Sequence, residues 1–243
     1  KNVSFKYPGA ENYALQNVNL KIKNGEHLAV VGRNGSGKTT FIKLMCRLYD
    51  VTDGEILING ANIKEYTKDS IIKLYSVVFQ DFKIFSTTLK ENVCASGDFD
   101  EGRFYACLEN ADIKERADCL PQKENTYLYK DLDENGVEIS GGEAQKLALA
   151  RALYKDAPIV VLDEPTAALD PIAENEIYTR FNTFVQGKTA IYISHRLSSC
   201  AFCDKIAVFN NAKLAETGTH KDLLNAGGKY AELWNAQAKY YIQ

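Results

Sequence analysis

The sequence has no long apolar segment. Its longest uninterrupted apolar run is five residues, Phe104 to Leu108, in a chain of 243. A helix that crosses a bilayer needs about 20 predominantly apolar positions, so the sequence predicts no direct insertion into a membrane. An initiator methionine and the apolar core of a signal peptide are missing too, since Met45 is the only methionine. We expect the chain to be a piece of a longer protein.

An excess of positive charge is also absent. The chain has 29 Lys and Arg against 32 Asp and Glu, a formal net charge of −3, and its basic residues are spread along the sequence. A protein that binds nucleic acid usually carries a basic patch that neutralises phosphates. The sequence therefore predicts no nucleic-acid partner. Hydrophobic residues make up 45% of the chain, which is typical of a globular protein with a substantial core.

Cysteine is too sparse for a disulfide framework, and its irregular spacing favours reduced, mostly buried thiols in a cytosolic compartment. The cysteines are Cys46, Cys94, Cys107, Cys119, Cys200 and Cys203. The last two have the spacing of a redox or zinc motif, but no second pair or neighbouring histidine completes a ligand set. We interpret that pair as structural.

The N-terminal part of the chain has the pattern of antiparallel strands. Residues 3–7 and 18–22 alternate apolar and polar side chains, and residues 54–60 end in the turn signal Asn59-Gly60. Residues 75–79 form a further candidate strand. These segments predict an N-terminal antiparallel β subdomain.

Helical patterns dominate between about residues 82 and 157, at 88–93, 101–111 and 143–154. We predict that this stretch is an inserted α-helical subdomain. No internal repeat or flexible linker separates it from the rest, and the sequence therefore predicts one domain over residues 1–243.

Four short apolar runs have the composition of strands that are buried on both faces. They lie at residues 28–31, 159–162, 190–193 and 206–209. Helical patterns adjoin them, which is typical of parallel strands joined by helices. The predicted fold class is α/β, with a mainly parallel sheet.

The first of these runs leads into a glycine-rich loop, residues 32–39, which fits the pattern G-x-x-x-x-G-K-[ST] between a strand and a helix. Its backbone N–H groups can converge on phosphate oxygens, and the helix N-terminus adds positive potential. We expect Lys38 to reach the β- and γ-phosphates and the Thr39 hydroxyl to ligate Mg²⁺. The predicted nucleotide-binding residues here are Gly32, Arg33, Asn34, Gly35, Ser36, Gly37, Lys38, Thr39 and Thr40.

Two carboxylates, Asp163 and Glu164, end the second buried run. In an open α/β sheet, ligands bind beyond the carboxyl ends of the strands. Asp163 is suited to hold Mg²⁺, directly or through water, and Glu164 to accept a proton from the water that attacks the γ-phosphorus. Taken alone, the two could also be a solvated pair before the turn at Pro165.

Ser140 and Glu143 have the spacing of a capping box, with Gly141 and Gly142 between them. This pattern is typical of a capped helix. Because the two glycines leave the backbone amides accessible, the same helix end could also bind an anion.

Seven elements, in order along nearly the whole chain, resemble the ATP-binding cassette (ABC) ATPases, and among them the nucleotide-binding domains of exporter-type transporters. They are the adenine-stacking aromatic Tyr7, the Walker A loop at 32–39, the Q-loop Gln80, the signature Ser140-Gly141-Gly142, the Walker B end Asp163-Glu164, the D-loop Ala168-Leu169-Asp170, and the switch segment Ser194-His195-Arg196.

The resemblance implies ATP and Mg²⁺ as ligands and a role for each element. Gln80 would contact Mg²⁺ and water, Glu164 would be the catalytic base, and His195 would reach the γ-phosphate alongside Lys38. Taken alone, Tyr7 is more typical of a core tyrosine and His195 of a structural histidine. His27 and His220 match no motif.

Two such domains close head to tail in this family. The resemblance implies that Ser140, Gly141 and Gly142 of one copy meet the γ-phosphate held by the loop of the other, and that Asp170 belongs to the same composite site. The partner is a second nucleotide-binding domain, identical or different, and the intact motifs fit either case.

The chain departs from the family pattern at three positions. Ile139 and Glu143 stand where leucine and glutamine are usual, and Asp133 stands for a glycine of the exporter-specific segment. Glu143 adds a negative charge close to the expected phosphate contact.

The resemblance implies an ATP-hydrolysing motor that drives export through an attached transmembrane domain at the cytoplasmic face of the cell membrane. One alternative is a soluble cassette ATPase that acts on ribosomes or DNA; such relatives usually have two cassettes, a charged linker or a coiled-coil insertion. The other is a regulatory nucleotide-binding module with little turnover, against which the intact Glu164 and His195 weigh.

Overall fold

The computed structural model describes residues 1–95, 98–164, 179, 181–194, 197 and 201–241. The chain divides into two units. The first consists of Lys1–Tyr75, Pro158–Asp163 and Gly187–Gln243, and the second of Ser76–Ala157 and Glu164–Gln186.

The described strands are β1 (Val3–Phe5), β2 (Leu15–Val18), β3 (His27–Gly32), β4 (Leu57–Ile58), β5 (Ala61–Asn62), β6 (Tyr75–Val78), β7 (Ile159–Asp163), β8 (Thr189–Ile193), β9 (Lys205–Asn210) and β10 (Lys213–Gly218). The described α-helices are α1 (Lys38–Met45), α2 (Lys68–Leu74), α3 (Leu89–Cys94), α4 (Glu101–Asn110), α5 (Lys114–Asp118), α6 (Gly141–Lys155), α7 (His220–Ala226) and α8 (Lys229–Tyr241). Short 3-10 turns lie at Ile63–Glu65 and Lys123–Asn125.

A mainly parallel sheet forms the core of the first unit. Its strands follow the order β10-β9-β3-β8-β7, with parallel pairing from β9 to β7 and an antiparallel β10 at the edge. The middle of β3, residues 28–31, is fully buried, because the strand is covered on both faces. The predicted α/β class and all four buried strands are confirmed.

The N-terminal antiparallel pair is formed by β1 and β2, with Val3 opposite Val18. The prediction of a strand over residues 18–22 is wrong, since β2 ends at Val18. The reason is a side chain: Asn19 Oδ1 accepts a hydrogen bond from the Asn2 N–H at 2.9 Å. The Asn2 N–H is therefore not available for the next backbone hydrogen bond between β1 and β2.

Two hairpins complete the β-structure of the first unit. Asn59-Gly60 turns β4 into β5, and both residues have positive φ, 51° and 90°, as a two-residue hairpin turn requires. The second hairpin joins β9 to β10 through Asn211 and Ala212. The sequence analysis missed it because this turn contains no glycine and β10 has no fully buried residue.

Helix α6 is the central element of the second unit. It packs against α3 and α4, and most of its residues between Ala144 and Tyr154 are buried. The predicted helices are confirmed as α3, α4 and α6, with ends shifted by one or two residues. None of the helices in the described part of the chain has the length and hydropathy of a bilayer-spanning segment.

The loop between β6 and α3 is held inside the second unit by the buried side chain of Asn92 and the half-buried side chain of Arg151. Asn92 receives the Phe85 N–H at 2.8 Å and donates to the Phe85 carbonyl at 2.9 Å. Arg151 of α6 donates to the carbonyls of Asn92 and Lys83 at 2.6 and 2.9 Å. These bonds tie residues 83–87, which follow Gln80 closely in the chain, to α6.

None of the described cysteines is in a disulfide, and three of them, Cys94, Cys107 and Cys203, are buried. Cys46 is half-buried and Cys119 is exposed. Cys200, the other member of the Cys-x-x-Cys pair, lies outside the described residues.

Candidate nucleotide-binding site

The loop after β3 needs its glycines for steric reasons. Gly32 pairs with Phe209 of β9, and a Cβ at Gly32 would lie 2.2 Å from the Phe209 carbonyl oxygen. Gly37 has a φ of 107°, and a Cβ there would lie 2.5 Å from Leu15 Cδ2. No residue with a side chain fits these two positions without a shift of backbone or core. The loop is therefore held in one curled shape.

Two polar side chains are buried inside this loop. Lys38 is 6% exposed, and its Nζ donates to the carbonyls of Gly32 at 2.9 Å and Arg33 at 3.2 Å. Ser36 is 4% exposed, and within the described part of the chain its hydroxyl is buried with no hydrogen-bond partner. A buried hydroxyl and a buried ammonium at one loop fit an anion that accepts hydrogen bonds from both.

The N-terminus of α1 is open to an anion. Its N-cap is Gly37, which has no side chain to cap the helix, and its first turn contains no acidic residue. The first backbone N–H groups of a helix need partners from outside the helix, and a phosphate satisfies them while it meets the positive end of the helix dipole. The donor set of the loop thus fits a polyphosphate.

Tyr7 lies against the same helix. Its hydroxyl is 3.1 Å from Thr40 Oγ1, and its ring packs edge-on against Phe5 and Tyr49 at centroid distances of 4.8 and 5.3 Å. The tyrosine is half-buried. The structure therefore brings the candidate adenine-stacking ring to the start of α1.

A cavity of about 420 Å³ opens beside the loop, lined by Arg33, Asn34, Gly35, Ser36, Asn210, Asn211 and Lys229. The last three come from the end of β9, its turn and the start of α8. Arg33 and Lys229 give this cavity two positive charges, which favour negatively charged groups. Sequence analysis did not find the three distant residues, since the β3–β9 pairing brings Asn210 and Asn211 to the loop and the packing of α8 against β10 brings Lys229.

Asp163 ends β7 and is fully buried. Because β3, β8 and β7 are parallel neighbours, Asp163 lies at the same sheet edge as the glycine-rich loop. Hydroxyl and carboxylate oxygens are the ligands that Mg²⁺ prefers, so Thr39 and Asp163 fit that ion. No cluster of three His, Cys, Asp or Glu residues suited to a metal occurs among the residues that the structure describes.

The second unit holds the Ser140 helix end. Ser140 Oγ accepts the Glu143 N–H at 3.2 Å, and Glu143 Oε2 accepts the Ser140 N–H at 2.7 Å, so the predicted capping box is present. The other oxygen of Glu143 accepts from Arg116 Nε at 2.6 Å. Arg116 is a residue that sequence analysis missed, because α5 has only five residues and no recognisable period.

Glu164 also belongs to the second unit and has a φ of 53°, a conformation that is uncommon for a residue with a side chain. Its carbonyl accepts a hydrogen bond from Gln145 Nε2 of α6 at 3.3 Å. Gln145 is 5% exposed and was also missed by sequence analysis. Gln80 is exposed and follows β6 in a turn, where the Phe82 N–H bonds the Phe79 carbonyl at 3.2 Å.

Two of the predicted site residues, Asp170 and His195, lie outside the described residues, together with Ala168, Leu169 and Arg196. Ser194, the first residue of the predicted switch segment, is described. It follows β8 directly and is buried.

A parallel sheet with a lysine-bearing glycine loop after a central strand defines the class of P-loop nucleotide-binding proteins. Within that class, the family described as ABC transporter matches residues 15–167, more than half of the chain. The chain belongs to the ABC transporter family, and it is an ATPase domain of that family. The resemblance noted in the sequence is thus confirmed.

Named relatives agree with this assignment. The chain is 39% identical over 237 residues to the ATP-dependent lipid A-core flippase of Escherichia coli (strain K12). This match covers 98% of the chain and 40% of the flippase. It is 41% identical over 237 residues to the subtilin transport ATP-binding protein SpaT of Bacillus subtilis. That match covers 96% of the chain and 38% of SpaT. It spans about two fifths of the length of these relatives.

A solved structure shares the fold. It is that of a bacterial Atm1-family ABC exporter with ATP bound, which superposes with a TM-score of 0.91 at 36% identity. The match covers 98% of this chain and 41% of the exporter chain.

Proposed function

We propose that this chain binds and hydrolyses ATP as the motor of an ABC exporter. The observation that carries the proposal is the loop itself: a buried lysine, a buried serine hydroxyl with no partner among the described residues, and a helix end without a side-chain cap lie together at one turn. Each of these groups donates to anions. We extend the proposal to residues 1–243 as one ATPase domain, with about 82–157 as its helical subdomain.

Binding of ATP is assigned to the first unit. The backbone N–H groups of residues 32–40 and the ammonium of Lys38 hold the phosphates, and Tyr7 stacks on the adenine. Thr39 and Asp163 would hold Mg²⁺, and the motif adds Gln80 to these ligands. When bound, Mg²⁺ would neutralise negative charge on the β- and γ-phosphate oxygens.

Hydrolysis is assigned by the motifs. Glu164 accepts a proton from, or orients, the attacking water, and His195 contacts the γ-phosphate. Lys38 stabilises the charge that develops on the transferred phosphoryl group. The roles proposed for Glu164 and His195 are based on the family motifs and on their positions in the chain, shortly after β7 and β8.

The proposed active form is a head-to-tail dimer. Ser140, Gly141 and Gly142 of one copy bind the γ-phosphate held by the other copy, and Asp170 contributes to the same composite site. Since the Ser140 hydroxyl accepts from Glu143 N–H, its own proton can be donated to a phosphate oxygen. The partner is a second nucleotide-binding domain, identical or different.

Export is the proposed use of this cycle. The relatives that match the chain are named as a flippase, a transport ATP-binding protein and an exporter, and each is more than twice as long as the chain. We therefore propose an attached transmembrane domain and a position at the cytoplasmic face of the cell membrane. In this arrangement, ATP binding closes the dimer and hydrolysis opens it again.

Phosphate release from MgATP tests the ATPase proposal. Because each proposed site needs two copies, the rate per chain should rise with protein concentration until the dimer is saturated. A rate per chain that is independent of concentration would contradict the composite site. Near-zero release at all concentrations would favour the regulatory module instead, and release stimulated only by ribosomes or DNA would favour the soluble cassette ATPase.

A further inference from the structure

Two ion pairs join the segment around α5 to the start of α6. Arg116 Nε lies 2.6 Å from Glu143 Oε1, and Lys146 Nζ lies 2.7 Å from Asp112 Oδ2. Glu143 and Lys146 are one turn apart on α6, so the signs of the two pairs alternate along the helix. The Arg116 pair lies at the helix end that carries Ser140, and the Lys146 pair lies one turn further in.

Both oxygens of the Glu143 carboxylate have donors. Oε1 accepts from Arg116 and Oε2 from the Ser140 N–H at 2.7 Å. Burial would raise the pKa of Glu143, but the hydrogen bonds from Ser140 and Arg116 outweigh it and lower the pKa. The carboxylate is therefore charged at neutral pH.

This charge conflicts with the proposed role of the helix end. Glu143 is the third residue of α6, and the γ-phosphate that Ser140, Gly141 and Gly142 are proposed to bind is itself strongly negative. A carboxylate in the first turn cancels part of the positive potential that a helix N-terminus offers an anion. An uncompensated Glu143 would therefore weaken the contact.

We propose that Arg116 is a positioning residue for the composite ATP site: it neutralises Glu143 and holds the carboxylate on the α5 side of the helix end. This inference rests on the proposed function of the Ser140 helix end. Arg116 acts through Glu143 and is not proposed to contact the nucleotide.

Arg116 and Glu143 form a matched pair of residues. Glutamine, which is usual at the position of Glu143 in the family, has only one oxygen acceptor, and its second polar group is a donor. It could accept a hydrogen bond from Ser140 or from Arg116, but its NH₂ group would then face the other donor. Because glutamine carries no charge, it also needs no arginine to neutralise it, whereas the carboxylate of Glu143 does.

The experiment compares Arg116→Ala, Glu143→Gln and the double variant in this chain. The readouts are the MgATP concentration that gives half-maximal ATPase rate and the rate at saturation. We expect Arg116→Ala to raise the half-saturating concentration by about three- to tenfold, with a saturating rate close to that of the unmodified chain. The double variant should return the concentration to the original value, because the charge that needed Arg116 is gone.

Lys146→Ala is the matched control. It removes one positive charge and one ion pair between the same two segments, but one turn away from Ser140. Partly exposed ion pairs contribute little to stability, so all variants should stay folded, which thermal unfolding checks. Lys146→Ala should leave the half-saturating concentration unchanged. An equal rise in Arg116→Ala and Lys146→Ala would mean that Arg116 only supports the packing of α5 against α6, and would overturn the proposal.

Salt gives an independent readout. The Debye length falls from about 10 Å at 0.1 M salt to about 3 Å at 1 M, so the difference between Arg116→Ala and the unmodified chain should shrink as salt is added. A double variant as impaired as Arg116→Ala would mean that Arg116 binds the nucleotide directly, and would also overturn the proposal. Failure of the proposed function looks different, because the unmodified chain would then show no concentration-dependent ATPase activity.

Discussion

Replacing Lys38 with alanine is expected to lower the rate of ATP hydrolysis by about 10²–10³-fold, the usual cost of losing a preorganised donor that stabilises developing charge. The ammonium is buried and held by the carbonyls of Gly32 and Arg33. No other lysine or arginine belongs to α1 before Lys43. The loss should therefore appear in binding of MgATP as well as in the maximal rate.

Lys43→Ala is the control for this prediction. It removes the same charge from the same helix, near the C-terminal end of α1 and away from the loop. Isothermal titration with MgATP and a phosphate-release assay on both variants separate binding from turnover. An Lys38→Ala chain that binds and hydrolyses ATP as well as the Lys43→Ala chain would show that the loop is not the phosphate site.

Replacing Glu164 with glutamine is expected to lower hydrolysis by about 10²–10⁴-fold, the range that a general base contributes, while MgATP binding is retained. Glutamine keeps the size and the hydrogen-bonding reach of the side chain but cannot accept the proton of the attacking water. The backbone of Glu164 is anchored by Gln145 through its carbonyl, which the substitution leaves in place.

The matched control is Glu101→Gln, which neutralises an exposed carboxylate of the same unit, at the start of α4. It should hydrolyse ATP at the unmodified rate. If Glu164→Gln turned over ATP at a rate similar to that of the control, Glu164 would not be the base. Near-zero turnover in the unmodified chain and in the variant alike would instead indicate a regulatory nucleotide-binding module.

Local signals were sufficient to predict much of the fold from the sequence. The buried strands β3, β7, β8 and β9 are short apolar runs, and such runs need no knowledge of their partners to be recognised. The start of α6 was found from Ser140 and Glu143, because a capping box is a contact within one turn. The glycine loop was found for the same reason: its chemistry lies within eight consecutive residues.

Features that depend on distant partners were not predicted. The edge strand β10 is a strand because it pairs with β9, and its own sequence contains few apolar residues. Strand β2 stops early because Asn19 bonds Asn2 across the pair. Arg116 and Lys229 gain their places beside the candidate sites only through helix packing, which leaves no mark on the spacing of residues in the chain.

The most direct test of the account is the mass and nucleotide content of the Glu164→Gln chain in MgATP, measured by light scattering after gel filtration. We predict a dimer that retains one nucleotide per chain and that dissociates when the loop is disabled by Lys38→Ala. A chain that stays monomeric at high concentration and retains no nucleotide would contradict the claim that ATP is held between the lysine loop of one copy and the Ser140 helix end of another.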